Sequence, residues 1–185
     1  MRDSTLRALL DISTRWPAEN GKIIQMLLAI SFDPLHGGFA VQNYLSQGVD
    51  VELTGGEERF ALEVKSTLGT TVALQEKDLD ALRVKYKNDN YIPSVAALRL
   101  HSSSDWVVAD ARAFGIKDIR LTPRDYALSR LALHPLLQLQ EIVQREFPKT
   151  LQSLKDTVLS PPNGKPLEFL AHILERDMLA SASAI

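Results

Sequence analysis

The chain has no cysteine, no long apolar run and almost no net charge, and each absence excludes a class of protein. Without cysteine it forms no disulfide, zinc–thiolate site or thiol nucleophile. The formal net charge of −2 excludes a uniformly basic nucleic-acid-binding protein, so that any such binding requires a local positive patch, bound metal ions or loop amides. The longest apolar run, Met26 to Ile30, is too short to span a membrane.

Several familiar functional motifs are also missing. The sequence contains no glycine-rich phosphate loop, no Gly-x-Ser-x-Gly elbow and no zinc signature. The histidines lack metal-ligand spacing, and we interpret all four as structural or surface residues: His36, His101, His134 and His172. The charged N-terminus lacks the apolar region of a signal peptide. We therefore expect a soluble cytoplasmic protein with no membrane segment.

Hydrophobic periodicity predicts a mixed α/β core. At 185 residues with 45% hydrophobic content, the chain can bury one good core. The pattern predicts helices over residues 1–14, 18–31 and 75–87, and strands over 39–45, 47–53, 59–66, 70–74, 92–100 and 106–109. The strand over 92–100 is apolar enough to be buried on both faces.

From about residue 115 onwards the pattern is helical only. Helix starts are predicted at Thr122–Pro123, Pro135, Pro148 and Pro166. Residues 160–164 read as a linker turn, and residues 180–185 as a frayed tail. We therefore predict two parts, a core over residues 1–115 and a helical C-terminal extension over residues 116–185.

Residues 47–66 form the most informative stretch, which reads as two strands joined by a polar turn at 54–58. Apolar residues alternate with the others along both strands, with Val49, Val51, Leu53, Phe60, Leu62 and Val64 on one face and Asp50, Glu52, Ala61, Glu63 and Lys65 on the other. Paired as a hairpin, the strands gather Asp50, Glu63 and Lys65 on one face. Two carboxylates and an ammonium are costly in a core, and they suit a site for a divalent cation.

This pattern resembles a known family. Asp50, followed thirteen positions later by Glu63-Val64-Lys65, resembles the PD-(D/E)XK nuclease superfamily, which includes restriction endonucleases and archaeal Holliday-junction resolvases. The resemblance covers roughly residues 15–115, and Val49 stands where the family's namesake proline precedes the aspartate. It implies an α/β, restriction-endonuclease-like fold, in which helices flank a mixed central sheet, and a metal-dependent endonuclease activity.

The resemblance also implies roles for the central residues. Asp50, Glu63 and the carbonyl of Val64 would bind Mg²⁺ or Mn²⁺, cations that prefer hard oxygen ligands. Lys65 would orient the attacking water or stabilise charge in the transition state. The expected partners are double-stranded or branched DNA and a second copy of the chain, joined through the C-terminal helices as a homodimer.

Two more residues match the family by position, and each has a plainer interpretation. Glu19 would add a carboxylate from the preceding helix, but it equally suits a first-turn residue favoured by the helix dipole. Gln75 would begin the helix after the motif as a polar site residue, or act only as a helix cap. Glu52 competes as a metal ligand, and Glu63 with Lys65 would also fit a solvated cross-strand pair.

Three hypotheses therefore stand. The first is a magnesium-dependent DNA endonuclease of the restriction, junction or repair type. The second is a non-catalytic module with a nuclease fold that binds DNA or a protein partner. The third is a structural interaction protein in which Asp50, Glu63 and Lys65 share a surface by coincidence.

Overall fold

The computed structural model describes residues 3–43, 48–69, 71–100, 105–114, 120–121 and 136–182. The helices are α1 (Asp3–Arg15), α2 (Asn20–Phe32), α3 (Glu76–Asp89), α4 (Leu137–Leu159) and α5 (Pro166–Ala182). The strands are β1 (Ala40–Asn43), β2 (Val51–Gly55), β3 (Glu58–Thr67), β4 (Val72–Ala73), β5 (Ile92–Arg99), β6 (Asp105–Asp110) and β7 (Arg120–Leu121). A short 3₁₀ turn, Ala111–Phe114, follows β6.

Five strands form a mixed sheet in the order β1-β2-β3-β5-β6. The pair β3 and β5 is parallel, and the other neighbours are antiparallel. A parallel pair needs a crossover connection, which is the segment that contains α3. The short strands β4 and β7 pair with each other in a separate sheet.

Apolar side chains cover both faces of the five-stranded sheet. On one face the sheet packs with α1, α2, α4 and α5 in a large cluster that contains Leu62, Leu98 and Leu139. On the other face a smaller cluster includes Val95 of β5 and Leu79 of α3. Neighbouring residues of β5 thus belong to different clusters, which confirms that this strand is buried on both faces.

The predicted β2–β3 hairpin is confirmed, and its register places Val51 opposite Leu62 and Leu53 opposite Phe60. Its turn includes Gly56, whose φ of +60° favours glycine because a side chain would strain that conformation. One part of the prediction is wrong. The strand begins at Val51, and Val49 packs in the smaller cluster, on the face opposite to Val51 and Leu53.

The C-terminal helices share the larger cluster with α1, α2 and the sheet. Phe147 of α4 lies edge-on to Trp106 of β6, with 5.0 Å between the ring centroids. The amide of Gln140 donates to the Trp106 carbonyl at 2.9 Å and accepts from the Val108 amide at 2.7 Å, so that α4 satisfies the free edge of β6. The division of the chain at residue 115 stays a prediction.

The predicted helix start at Pro148 is wrong, because this residue lies inside the continuous helix α4. A proline removes one helical hydrogen bond, but buried apolar residues on both sides of it, including Phe147 and Leu151, hold the helix against the core. The predicted start at Pro166 is confirmed. The start at Thr122–Pro123 and the residue Pro135 lie outside the described residues.

The predicted fold class is confirmed: helices flank a mixed five-stranded sheet, and further helices form the C-terminal part. The strand predicted over 70–74 is shorter, and it pairs with β7 outside the main sheet. Within the described ranges, none of the helices combines the length and apolar character that crossing a bilayer requires.

Candidate active site in the cleft beside the hairpin

An open cleft of about 820 Å³ lies where α2, the loop before β2, the second half of β3 and the start of α3 meet. Twelve residues line it: Ala18, Gly21, Lys22, Gln25, Gly48, Asp50, Glu63, Val64, Lys65, Ser66, Lys77 and Asp78. The structure therefore brings the three charged residues of the predicted site, Asp50, Glu63 and Lys65, to one concave surface.

The end of the β2–β3 ladder positions Asp50. Its main-chain amide donates to the Leu62 carbonyl at 3.0 Å, and its side-chain Oδ2 accepts from the Val64 amide at 2.9 Å. The carboxylate thus takes the place of the next β2 residue at the edge of β3. From α2, Gln25 Nε2 donates to the Asp50 carbonyl at 2.8 Å, and Lys22 Nζ lies 3.1 Å from Oδ1.

The other two residues form an ion pair on β3 that extends to α3. Lys65 Nζ lies 2.6 Å from Oε1 of Glu63 and 2.9 Å from Oδ2 of Asp78. Both carboxylates are buried, whereas the lysine side chain is half-buried at 26% exposed. Asp78 also accepts from the Gln75 amide at 2.8 Å, which caps the start of α3.

The crowding of charge shifts three pKa values. Burial raises the pKa of Glu63 to about 8, and the negative charge of Asp50 adds to this rise. Burial alone would lower the pKa of Lys65, but Glu63 and then Asp78 outweigh it and raise this pKa. Burial would raise the pKa of Asp78, yet the Gln75 amide and Lys65 lower it overall. Without a cation beside it, the buried Glu63 therefore favours its protonated form.

Three further residues of the cleft were not predicted from the sequence, namely Lys22, Gln25 and Asp78. Gln25 is a buried polar residue within an otherwise apolar helix face, and that exception to the pattern is the one signal it offered. Asp78 stands three residues after a polar helix start, which predicts a cap, but nothing local indicates its contact with Lys65. Such contacts arise only when α2 and α3 pack beside β3.

The remaining predicted residues lie at the margin of the cleft or outside it. Glu19 is the half-buried N-cap of α2, and Gln75 is the exposed N-cap of α3; neither is among the residues that line the cleft. Glu52 is buried, forms an ion pair of 2.6 Å with Lys85, and lines a separate cavity of about 190 Å³. The site roles proposed for Glu19, Gln75 and Glu52 stay predictions.

The donor atoms of the cleft suit a hard divalent cation. Asp50 and Glu63 offer carboxylate oxygens, the type of ligand that Mg²⁺ and Mn²⁺ prefer. The ammonium of Lys22 already lies between Oδ1 of Asp50 and Oε1 of Gln25, at 3.1 and 2.8 Å, so this position attracts positive charge. With the lysine side chain 38% exposed, it can move aside without disrupting the core.

Among the described residues, one group of three acidic or imidazole side chains is close enough to share a cation, and it lies away from the cleft. It consists of Asp33, His36 and Asp177. The structural or surface role predicted for His36 did not anticipate this cluster. His172 is exposed on α5, and the other two histidines lie outside the described residues.

Comparison with protein-family models and with curated protein sequences gives no match. Among solved structures, the chain is similar to Hjc, a Holliday junction resolvase from the archaeal hyperthermophile Archaeoglobus fulgidus. The identity is 16% and the TM-score is 0.42, over 52% of this chain and 90% of the resolvase chain.

Proposed function

We propose that this protein is a metal-dependent endonuclease that hydrolyses phosphodiester bonds in DNA. The observation that supports it is the convergence of Asp50, Glu63 and Lys65 on one open cleft, together with the ion pair between Glu63 and Lys65. Two carboxylates beside an ammonium meet the needs of phosphodiester hydrolysis, which requires a held cation, an activated water and stabilisation of growing negative charge.

Each residue has a separate task in this proposal. Asp50 and Glu63, with the Val64 carbonyl, would hold Mg²⁺ or Mn²⁺, and the bound cation would supply an acidified water and screening of the phosphate charge. Lys65, kept protonated by Glu63 and Asp78, orients the water or stabilises charge in the transition state.

The charges of the cleft fit a DNA backbone only when a cation is present. Three lysines line it, namely Lys22, Lys65 and Lys77, and three acids oppose them, namely Asp50, Glu63 and Asp78. A divalent cation changes this balance to net positive, which favours phosphate. The expected substrate is double-stranded or branched DNA, and binding to it should weaken as salt increases.

A homodimer is part of this proposal, because two clefts are needed to cut two strands. The C-terminal helices expose large apolar residues, with Leu137 of α4 47% and Leu179 of α5 69% exposed. Light scattering coupled to size exclusion measures the oligomeric state directly. A monomer at every concentration would remove this part and leave the proposed chemistry intact.

Cleavage of linear, supercoiled and four-way-junction DNA tests the activity, with Mg²⁺ and with a chelator. We expect cleavage of at least one substrate only in Mg²⁺, and a loss of about 100-fold or more for Glu63→Gln. The control Glu57→Gln alters an exposed acid in the hairpin turn and should retain the rate. Absence of cleavage on all three substrates, or an active Glu63→Gln variant, would contradict the proposal.

One observation favours a second function, a non-catalytic module that binds DNA or a protein partner. Lys22 already neutralises Asp50 within the described structure, as would suit a site that needs no metal. Calorimetry with Mn²⁺ separates the two proposals. The endonuclease should bind Mn²⁺ in the cleft, whereas the non-catalytic module should bind none there.

A further inference from the structure

The turn that follows α2 holds two side chains of the metal-ligand type close together, away from the cleft. Asp33 ends α2, and its carbonyl accepts from the amides of His36, Gly37 and Gly38 at 3.2, 2.8 and 2.8 Å. The turn is tight, because a Cβ atom at Gly37 would lie 2.6 Å from the Phe32 Cα. This geometry holds the imidazole of His36 beside the Asp33 carboxylate, with 2.8 Å between Nδ1 and Oδ1.

The last helix supplies the third side chain. Asp177 lies on α5, and one ligand atom from each of Asp33, His36 and Asp177 lies within 4.8 Å of the others. Ligands of a tetrahedral zinc ion are about 3.4 Å apart, given bonds of about 2.1 Å. Small side-chain rotations would close that difference.

Two buried carboxylates, those of Asp33 and Asp177, meet at this cluster. The Asp33 side chain is 0% exposed. Its Oδ1 accepts from the amides of Leu35 and His36 and lies 2.8 Å from His36 Nδ1, whereas its buried Oδ2 has no hydrogen-bond partner among the described residues. A buried carboxylate oxygen without a partner costs free energy unless a positive charge faces it. Asp177, also buried, is bound at Oδ1 by the exposed side chain of Arg176 at 2.7 Å.

We propose that Asp33, His36 and Asp177 bind a divalent transition-metal cation that fastens α5 to the end of α2. Two carboxylates and one imidazole are a borderline ligand set, which suits Zn²⁺ better than Mg²⁺. The imidazole, with its side chain 34% exposed, provides the route of entry, and water completes the coordination. This site is structural, and it is independent of the chemistry proposed for the cleft, since none of its residues lines that cleft.

Zinc binding tests the proposal in a chain that carries Asp50→Asn, so that the cleft loses a metal ligand. Equilibrium dialysis against a competing chelator measures the stoichiometry and affinity of zinc binding. The midpoint of thermal unfolding measures how far zinc stabilises the fold. We expect one Zn²⁺ per chain and a higher midpoint with zinc. His36→Gln and Asp177→Asn should each lower the affinity by at least about tenfold.

Two matched controls lie on the surface of α5. His172→Gln and Glu175→Gln alter an exposed imidazole and an exposed carboxylate on the helix that carries Asp177, and both should bind zinc as the parent does. His36→Gln is the decisive variant, because its half-exposed side chain can be replaced without opening the core. A tetrahedral Co²⁺ absorption spectrum that disappears in this variant gives a second, spectroscopic measure.

Absence of zinc uptake by the Asp50→Asn chain would overturn the proposal. So would zinc uptake that His36→Gln leaves unchanged, or a loss of affinity in the His172→Gln control as large as that in His36→Gln. Loss in only one of the two ligand variants would also overturn it, because the site requires both the turn and α5.

Discussion

The main-chain amide of Val64 donates a 2.9 Å hydrogen bond to Oδ2 of Asp50, and this bond fixes a loop carboxylate against the strand that carries the other site residues. The bond exists because β2 begins only at Val51 and therefore leaves the edge of β3 open beyond Leu62. The side chain of Asp50 therefore accepts the hydrogen bond that a main-chain carbonyl of a longer β2 would accept. The proposed activity depends on this bond, because it holds the carboxylate at the cleft.

The raised pKa of Glu63 predicts how stability depends on pH in the metal-free protein. The group titrates near 4.5 when unfolded and near 8 when folded, so the folded state binds the extra proton. The contribution of Glu63 to the free energy of unfolding is therefore fully present below about pH 4.5 and is lost as pH rises through about 8. In wild type the free energy of unfolding should fall with rising pH by an amount on the order of a few kcal/mol, and Glu63→Gln should remove this fall.

Urea unfolding at about pH 5 and about pH 9 measures this dependence. Glu57→Gln provides the control, because its carboxylate is exposed in the turn and should leave the wild-type slope in place. Equal pH dependence in wild type and Glu63→Gln would show that burial does not shift this carboxyl group.

Asp78 should set the alkaline limit of the activity by holding the proton on Lys65. In Asp78→Asn the lysine keeps only Glu63 as an anionic partner, so its pKa falls. The amide oxygen of asparagine can still accept from the Gln75 amide, which preserves the cap of α3. We expect the alkaline limb of the pH–rate profile to move to lower pH.

The matched control for that profile is Asp80→Asn, which alters an exposed acid on the same helix that pairs with Arg83. It should leave the limb where it is in wild type. A profile that Asp78→Asn does not move would assign this residue to helix capping alone.

Lys22 should compete with a metal ion for Asp50. Its ammonium lies 3.1 Å from Oδ1 and is partly exposed, so the pair contributes about 1 kcal/mol or less. Lys22→Met should therefore tighten Mn²⁺ binding by roughly two- to fivefold. Calorimetry in a chain that also carries His36→Gln measures the cleft alone. Weaker Mn²⁺ binding in Lys22→Met would contradict this competition.

The core of the site could be predicted from sequence because it is local. Glu63 and Lys65 lie two residues apart on one strand, and the hairpin places Asp50 beside them. Lys22, Gln25 and Asp78 could not be predicted, since their contacts depend on how α2 and α3 pack. The same holds for the cluster around His36, whose third member lies on the last helix.

Local patterns also explain where the predicted fold was right and where it was wrong. The apolar run of β5 correctly indicated burial on both faces. The alternation rule failed at Val49, because the chain joins the β2–β3 ladder only at Val51. Val49 lies before the strand, and its side chain packs in the smaller cluster. The proline rule failed at Pro148, where burial of the flanking helix outweighs the loss of one hydrogen bond.

Gln140 should link the C-terminal helices to the stability of the whole sheet. Gln140→Leu leaves the Trp106 carbonyl and the Val108 amide without their side-chain partners, which should cost about 1–3 kcal/mol of unfolding free energy. The control Gln138→Leu changes an exposed position on α4 and should remain within about 0.5 kcal/mol of wild type. Equal stabilities of the two variants would contradict this role.

If Asp50, Glu63 and Lys65 form one catalytic site, cleavage should depend on the ammonium of Lys65, and the cleavage rate of Lys65→Met measures that dependence. Methionine keeps the apolar stem and removes the ammonium, so the fold and Mn²⁺ binding should persist. We expect the rate in Mg²⁺ to fall by about 100-fold or more. Lys87→Met, at an exposed position of α3, should cut as wild type does. Undiminished cleavage by Lys65→Met would contradict the account.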